Sequence, residues 1–234
     1  MQRFFITFPL SIDMTITDTG ILHQLTRVLR VAPGERIVLF SGDGTEIEYE
    51  ITTIDKKSIG LRGVASRVPN TEPRKRVTLY QALPNKYEKI EYIIQKGVEI
   101  GIARFVFFRS DRSQKLLLSP SKIDRFITIA REALEQCGGV VMPEIACIDR
   151  FPDTVVDVTT QTTHIVLDTI GESIRISQYD NLQDISLWVG PEGGWSDTER
   201  MKMSDNGSIF ARFGERVLRT ETAGIVIGFS FLNA

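Results

Sequence analysis

The feature that most constrains this chain is a change of pattern at residues 69–75. Pro69-Asn70-Thr71-Glu72-Pro73-Arg74-Lys75 sets two prolines among polar side chains. Neither a helix interior nor a central strand accommodates that composition, so the stretch reads as a linker. Before it, short apolar runs are separated by turn residues. After it, apolar runs of strand length alternate with segments of helical period. The 234 residues have room for one large domain or two small ones. The break favours two, over 1–70 and 71–234.

Residues 1–70 read as mostly β. The N-terminus, residues 1–10, is apolar but short, is interrupted by Pro9, and has no small-residue cleavage site behind it. It reads as a first strand and not as a signal peptide. Residues 36–40 form a strand, Ser41-Gly42-Asp43-Gly44-Thr45 carries an Asp-Gly turn signal, residues 46–51 alternate, and residues 57–68 continue the meander. One helical piece interrupts, with Leu22, Leu25, Val28 and Leu29 on one face.

Residues 71–234 alternate strand and helix. Strands are expected at 77–83, 104–108, 164–168, 187–189 and 209–213, and helices at 86–100, 120–137 and 220–232. The first helix places Ile90, Ile93, Ile94, Gly97 and Val98 on one face and ends at Gly101. The last is apolar nearly all round, which predicts burial on several sides. Such alternation implies an α/β fold with a mostly parallel sheet covered on both faces.

Two stretches carry the chemistry. Leu187-Trp188-Val189-Gly190-Pro191-Glu192-Gly193-Gly194-Trp195-Ser196 reads as a buried strand emptying into a glycine loop, with Ser196 and Glu199 placed as the capping box of the next helix. It is either a plain strand–helix connection or a ligand loop at a strand end. Leu218-Arg219-Thr220-Glu221-Thr222-Ala223 enters the last helix, with Thr220 placed as N-cap and Glu221 in the first turn. Arg219 at the mouth of a buried helix would need an anionic or polar partner. Gly224 and Gly228 lie one turn apart, a strip for close packing within the monomer or with a second chain.

Composition sets limits. The net charge of −2 leaves any RNA contact to a local patch. Cys137 and Cys147 form no CxxC pair and lack a nearby histidine, so no metal site is expected, and reduced thiols of a cytoplasmic protein are. No run is long enough to span a bilayer. GxGxxG after the first strand and GxxxxGK[ST] are both missing. Glu192 in a loop without lysine disfavours a triphosphate and suits a cationic or hydroxyl-bearing ligand such as S-adenosylmethionine.

Basic residues offer two spots. Lys86, Lys89 and Lys96 cluster on one flank of the 86–100 helix, as a solvated edge or a phosphate-facing ridge that Arg109, Arg112 and Lys115 would extend. Arg3, His23, Arg27 and Arg30 form the second. His164 opens a buried strand and reads as structural. Glu132 and Gln136, one turn apart, are either exposed or turned to a cleft.

The ordered set Leu83-Pro84, Ile93-Ile94-Gln95-Lys96-Gly97-Val98-Glu99-Ile100-Gly101, Ala130-Arg131-Glu132-Ala133-Leu134-Glu135-Gln136, Gly190-Pro191-Glu192-Gly193-Gly194 and Leu218-Arg219-Thr220-Glu221-Thr222-Ala223 resembles the uracil-N3 methyltransferases (RsmE type) of small-subunit (16S) ribosomal RNA, in the SPOUT superfamily. The resemblance covers essentially the whole chain, His23 and Val28-Leu29-Arg30 included. It implies a PUA-like β-barrel RNA-binding domain over 1–70 and an α/β SPOUT methyltransferase domain over 71–234 with a C-terminal trefoil knot. It also implies a cytoplasmic homodimer. S-adenosylmethionine would be held by Leu167, by Gly190, Pro191, Glu192, Gly193 and Gly194, and by Val217, Leu218, Thr220 and Thr222. Glu221 is then the candidate acceptor of the uracil N3 proton, and Arg219 the stabiliser of charge on the uracil oxygens. Arg3, His23, Arg30, Lys86, Lys89, Lys96 and Gln136 are the candidate RNA contacts. The family's serine and basic residue after the glutamine are here Cys137-Gly138-Gly139. The rival readings are a non-catalytic RNA-binding dimer of this fold and a SPOUT enzyme acting on another RNA.

Overall fold

The computed structural model describes residues 1–152 and 162–233, which divide into two compact units. The first comprises Met1–Glu72 and Leu134–Met142; the second comprises Pro73–Ala133 and Pro143–Ala234.

The first unit is built on a five-stranded sheet. Its strands are β1 (Gln2–Phe5), β2 (Asp13–Ile16), β3 (Arg36–Phe40), β4 (Glu46–Ile54) and β5 (Ile59–Arg67), in the order β1-β3-β4-β5-β2. The β1–β3 pair is parallel and the other pairs are antiparallel. The strand β2 was not expected from the sequence: Asp13-Met14-Thr15-Ile16 alternates, but four residues are too short a run to stand out. Phe4, Ile16, Leu25, Ile37, Leu39, Tyr49 and Ile51 are buried together. The expected helical piece is α1 (Thr19–His23), capped by the Asp18 carboxylate, followed by a wider π-type turn over Gln24–Leu29 that ends on Arg30 in the left-handed region. The Leu134–Met142 segment joins this unit through its backbone. Gly44 N–H donates to the Val140 carbonyl at 3.0 Å and Met142 N–H to the Gly42 carbonyl at 3.0 Å. Gly42 has φ +83°, and a Cβ there would strike Met142 and Phe5, so only glycine fits the approach.

The second unit carries six parallel strands: β6 (Arg76–Ala82), β7 (Arg104–Phe108), β8 (Glu144–Ile148), β9 (Thr163–Ser173), β10 (Asp184–Val189) and β11 (Ile209–Arg212). Their order is β11-β9-β10-β6-β7-β8. Around them run α2 (Tyr87–Ile100), α3 (Pro120–Cys137), α4 (Asp197–Asp205) and α5 (Thr220–Leu232). The chain leaves β6 toward β8 on one side and returns to the other side with β10 and β9. The sheet therefore has its switch point between β6 and β10, where open α/β folds bind ligands beyond the strand ends. The edge strand β8 was also unexpected, although Ile145, Ala146, Cys147 and Ile148 form a short apolar run of strand type.

Aromatic packing fixes the middle of the sheet. Trp188 on β10 lies opposite Tyr80 on β6, and the rings stack with centroids 4.0 Å apart. Phe108 packs on both Trp188 and Trp195. The glycine strip of α5 faces inward, within this unit: a Cβ on Gly224 would come 2.9 Å from Leu79, and one on Gly228 2.9 Å from Ile102. The opposite side of α5 departs from the expected all-round burial, with Val226 45% and Phe229 52% exposed. Among the described residues, no helix is long and apolar enough to cross a membrane.

Candidate functional site

The cleft forms where β10 and β11 end and where β9, which lies between them, carries a bulge. On β9, Phe210 of β11 pairs with Val166, but the next residue, Ala211, pairs with Glu172. Residues 167–171 therefore have no register partner on β11, and this bulge opens the sheet. The strand β10 ends at Val189 and passes into the loop at 190–194. The strand β11 ends at Arg212 and passes through half-buried Phe213 into the exposed stretch 214–219 before α5. Together they enclose a cleft of about 700 Å³, lined by Leu167, Asp168, Val189, Pro191, Glu192 and Ile227 among others.

The glycine loop is held from beneath. Trp195 is buried, and its indole N–H donates to the Leu167 carbonyl at 3.0 Å, joining the end of β10 to the bulge of β9. A Cβ on Gly190 would lie 3.1 Å from the Trp195 ring, so a larger residue displaces either the ring or the loop. Gly194 has φ +67° and open space around its Cα, which permits the turn into α4. The capping box is formed: Glu199 N–H donates to Ser196 Oγ at 3.1 Å, and Ser196 N–H donates to Glu199 Oε2 at 2.8 Å. The β7–α3 connection is latched to the same place. Asp111 N–H donates to Glu199 Oε1 at 3.0 Å, and Arg112 donates to the Gly193 carbonyl at 3.0 Å. Arg112 thus braces the loop instead of extending a lysine ridge.

The start of α5 differs from the expected cap. Arg219 occupies the N-cap position without a side-chain bond, and Thr220 is the first helical residue. The Thr220 hydroxyl donates to the Gly190 carbonyl at 2.6 Å and accepts from buried Gln81 Nε2 at 2.8 Å. It is used up in positioning the glycine loop. Arg219 is 86% exposed on its side chain, with Glu221 4.0 Å away, so no burial cost arises. Water solvates it, and the partner the sequence seemed to demand is unnecessary.

Charge gathers at one edge. Lys89 Nζ lies 2.7 Å from Glu192 Oε1 and 3.3 Å from Glu221 Oε2. The Asn85 N–H also donates to Glu192 Oε1 at 3.1 Å. Burial pushes the Glu192 carboxyl up, but hydrogen bonds from Lys89 and from backbone N–H groups outweigh it and hold its pKa below the usual carboxylate value. Burial likewise lowers Lys89, and its two carboxylate partners more than compensate, so its pKa lies above the usual lysine value. Deeper in, Asp168 is nearly covered and pairs with Arg200 at 2.8 Å.

Of the residues singled out in the sequence, Lys89, Leu167, Gly190, Pro191, Glu192, Gly193, Gly194, Val217, Leu218, Arg219, Thr220 and Glu221 line this cleft. Thr222 does not; two residues past Thr220 it has turned about 200° around the helix. Lys86 precedes α2 and is exposed, and Lys96 pairs with Glu99 at 2.7 Å; neither lines the cleft. Arg3, His23, Arg30 and Gln136 belong to the first unit. There His23, Arg30 and Gln136 are exposed, while Arg3 pairs with Glu46 and donates to the Gly139 carbonyl at 3.0 Å. Gln81 and Arg200 went unnoticed in the sequence; a glutamine at the end of an apolar strand was the available signal for the first. Among the described residues no group of three or more His, Cys, Asp or Glu could hold a metal ion.

Residues 70–230 match the family model described as RNA methyltransferase domain, and residues 16–62 match that described as RNA methyltransferase PUA domain. The chain is 31% identical, over 97% of its length, to the Ribosomal RNA small subunit methyltransferase E of Mesomycoplasma hyopneumoniae (strain 232), 97% of which is covered. The chain belongs to the small subunit methyltransferase E family of RNA methyltransferases. The family member of Bacillus subtilis (strain 168) is 29% identical, with 95% of this chain and 93% of that protein covered. A crystal structure of the Neisseria gonorrhoeae member bound to S-adenosyl methionine is 26% identical with a TM-score of 0.86, covering 97% of this chain and 94% of that one.

Proposed function

We propose that this protein is an S-adenosylmethionine-dependent methyltransferase that methylates N3 of a uridine in small-subunit ribosomal RNA. The observation that carries the reading is the cleft at the β9 bulge and the ends of β10 and β11, with Glu192 and Glu221 at its edge. Its residues fit the cofactor. Leu167, Pro191, Leu218 and Ile227 offer apolar surface to an adenine, backbone groups of the glycine loop suit its hydroxyl and amino groups, and the carboxylates suit its positive charge. When bound, S-adenosylmethionine supplies a methyl group on a cationic sulfur.

The chain's own residues prepare the acceptor. N3 of uracil carries a proton, and it faces the cleft only when the base is unpaired or extruded. Glu221 takes that proton. Arg219, exposed at the rim within 4.0 Å of Glu221, stabilises the negative charge that spreads to the uracil oxygens. His23, Arg30, Lys86 and Gln136, all exposed, supply the RNA contacts.

The division of labour follows the linker: residues 1–70 form a PUA-like RNA-binding domain, and residues 71–234 a SPOUT methyltransferase domain with a C-terminal trefoil knot. The exposed apolar face of α5, with Val226 and Phe229, supports a homodimer. A cytoplasmic location suits the ribosomal substrate and the free thiols of Cys137 and Cys147.

Calorimetric titration with S-adenosylmethionine tests the reading, alongside Gly193→Val, whose side chain would press on Arg112. Saturable binding by the native protein, loss in the variant, and a methyl group mapped by mass spectrometry to uracil N3 of ribosomal RNA are expected. A native protein that binds RNA but neither the cofactor nor transfers a methyl group would be a pure binding module, and the reading would fail.

A further inference from the structure

Two carboxylates from separate parts of the chain meet on one ammonium. Glu192 comes from the glycine loop, Glu221 from the first turn of α5, and Lys89 from the first turn of α2, at 2.7 and 3.3 Å. The side chains of Lys89 and Glu221 are only 22% and 14% exposed, so solvent screens the group less than it would a surface pair. Without the ammonium, the two acids would repel one another at the cleft edge, and each would be free to swing toward water. With it, the loop and the helix start share a tie. Asn85 N–H supports the same Glu192 oxygen from the chain just before α2.

Resting on the methyl-transfer reading above, we propose that Lys89 is a positioning residue of the methyl-transfer site and not a phosphate contact. It holds Glu221 at the orientation that receives the N3 proton and fixes Glu192 so that the glycine loop keeps its shape. Two carboxylates within 3.3 Å more than balance its single positive charge, so the ammonium has little charge left to offer an RNA phosphate. Its charge is spent inside the protein, which separates it from exposed Lys86 three residues earlier.

The two roles give opposite signatures. Lys89→Met, Lys89→Arg, Glu192→Gln and the Lys89→Met/Glu192→Gln double variant are compared with the native protein. The readouts are cofactor affinity by calorimetry, RNA affinity across a salt series, and the single-turnover methylation rate at saturating RNA and cofactor. If Lys89 positions, Lys89→Met weakens cofactor binding about ten-fold and slows the saturated rate at least ten-fold, and adding Glu192→Gln weakens cofactor binding little further. The salt slope of RNA binding stays at the native value, and Lys89→Arg recovers most of both losses. A salt slope reduced by about 0.7, the share of one single-strand phosphate contact, with cofactor affinity and saturated rate unchanged, overturns the proposal. So does a variant indistinguishable from native in all three. A native protein without cofactor affinity marks a different failure, that of the methyl-transfer reading, and this role falls with it.

Discussion

The Thr220 hydroxyl donates to the Gly190 carbonyl at 2.6 Å, tying the first residue of α5 to the first residue of the glycine loop. Gln81 completes the chain from β6, donating to Thr220 Oγ1 at 2.8 Å and to the Ala82 carbonyl at 3.0 Å. Three segments far apart in sequence are thereby fixed by one hydroxyl in a buried setting. Thr220→Val keeps the shape but strands a carbonyl and an amide, a loss of about 1–3 kcal/mol. Urea unfolding should register that loss, and calorimetry a cofactor affinity weaker by about ten-fold. Thr220→Ser, which keeps the hydroxyl, should stay close to native. Equal cofactor binding by the valine variant would show that the hydroxyl does not shape the loop.

Trp195→Phe keeps an aromatic ring against Phe108 and removes the N–H that reaches the Leu167 carbonyl. We expect about 1 kcal/mol lower stability and a cofactor affinity reduced by several-fold, because the β9 bulge loses its anchor to the loop. Gly190→Ala should act in the same direction, since its Cβ would meet the Trp195 ring at 3.1 Å. Thermal melts and calorimetry on both variants check this. If both bind the cofactor as the native protein does, the anchor is dispensable.

His164 gives the second unit a pH dependence. Its Nδ1 accepts from Trp188 Nε1 at 3.1 Å, which requires an unprotonated nitrogen, and burial holds its pKa below the ordinary histidine value of 6.5. A histidine with a lowered folded pKa gains a proton on unfolding, so the native state has its full stability above 6.5 and loses it as pH falls from there through the folded value. Melting temperatures from about pH 7.5 down to about 5.5 should decline. His164→Gln, which can still accept from Trp188, should flatten the curve; an unchanged slope would assign the pH effect to other groups.

Arg219 and Glu221 separate in their effects. Arg219→Ala removes an exposed side chain, so folding and cofactor affinity should hold while the saturated rate falls roughly 10²-fold, the scale for one electrostatic stabiliser. Glu221→Gln should lower the rate as strongly and also loosen Lys89, visible as weaker cofactor binding. Full activity in the arginine variant, with RNA affinity unchanged, would remove Arg219 from the chemistry.

Exposed Arg30 and Lys86 are expected to act through phosphate. Replacing each with alanine should weaken RNA binding at low salt and reduce the salt slope by about 0.7 apiece. Arg3→Ala should behave differently, since its guanidinium already holds Glu46 and the Gly139 carbonyl. Its loss should appear in stability before it appears in the slope.

Much of the fold was readable because period and capping are local. The Ser196–Glu199 box and the Gly101 stop of α2 follow from neighbouring residues, and both are present as read. Misreadings arose where a distant segment decides. Thr220 looked like a cap because nothing nearby reveals Gly190 or Gln81 as partners. Arg219 looked buried because the exposure of a loop depends on what lies across from it. The apolar face of α5 looked like core because composition does not distinguish a side packed on Leu79 and Ile102 from one left open at Val226 and Phe229. The glycine and Leu218–Ala223 stretches were legible as unusual; which of their side chains face the cleft was not.

The first unit borrows residues 134–142 from far down the chain, and Gly42 and Gly44 are paired only when Val140 and Met142 arrive. Order of synthesis and order of completion therefore part company. The earlier-made segment waits with an unsealed turn until some seventy more residues, including β6, α2, β7 and α3, have followed it. A fragment ending at the linker would carry every strand of its sheet and still lack its closure.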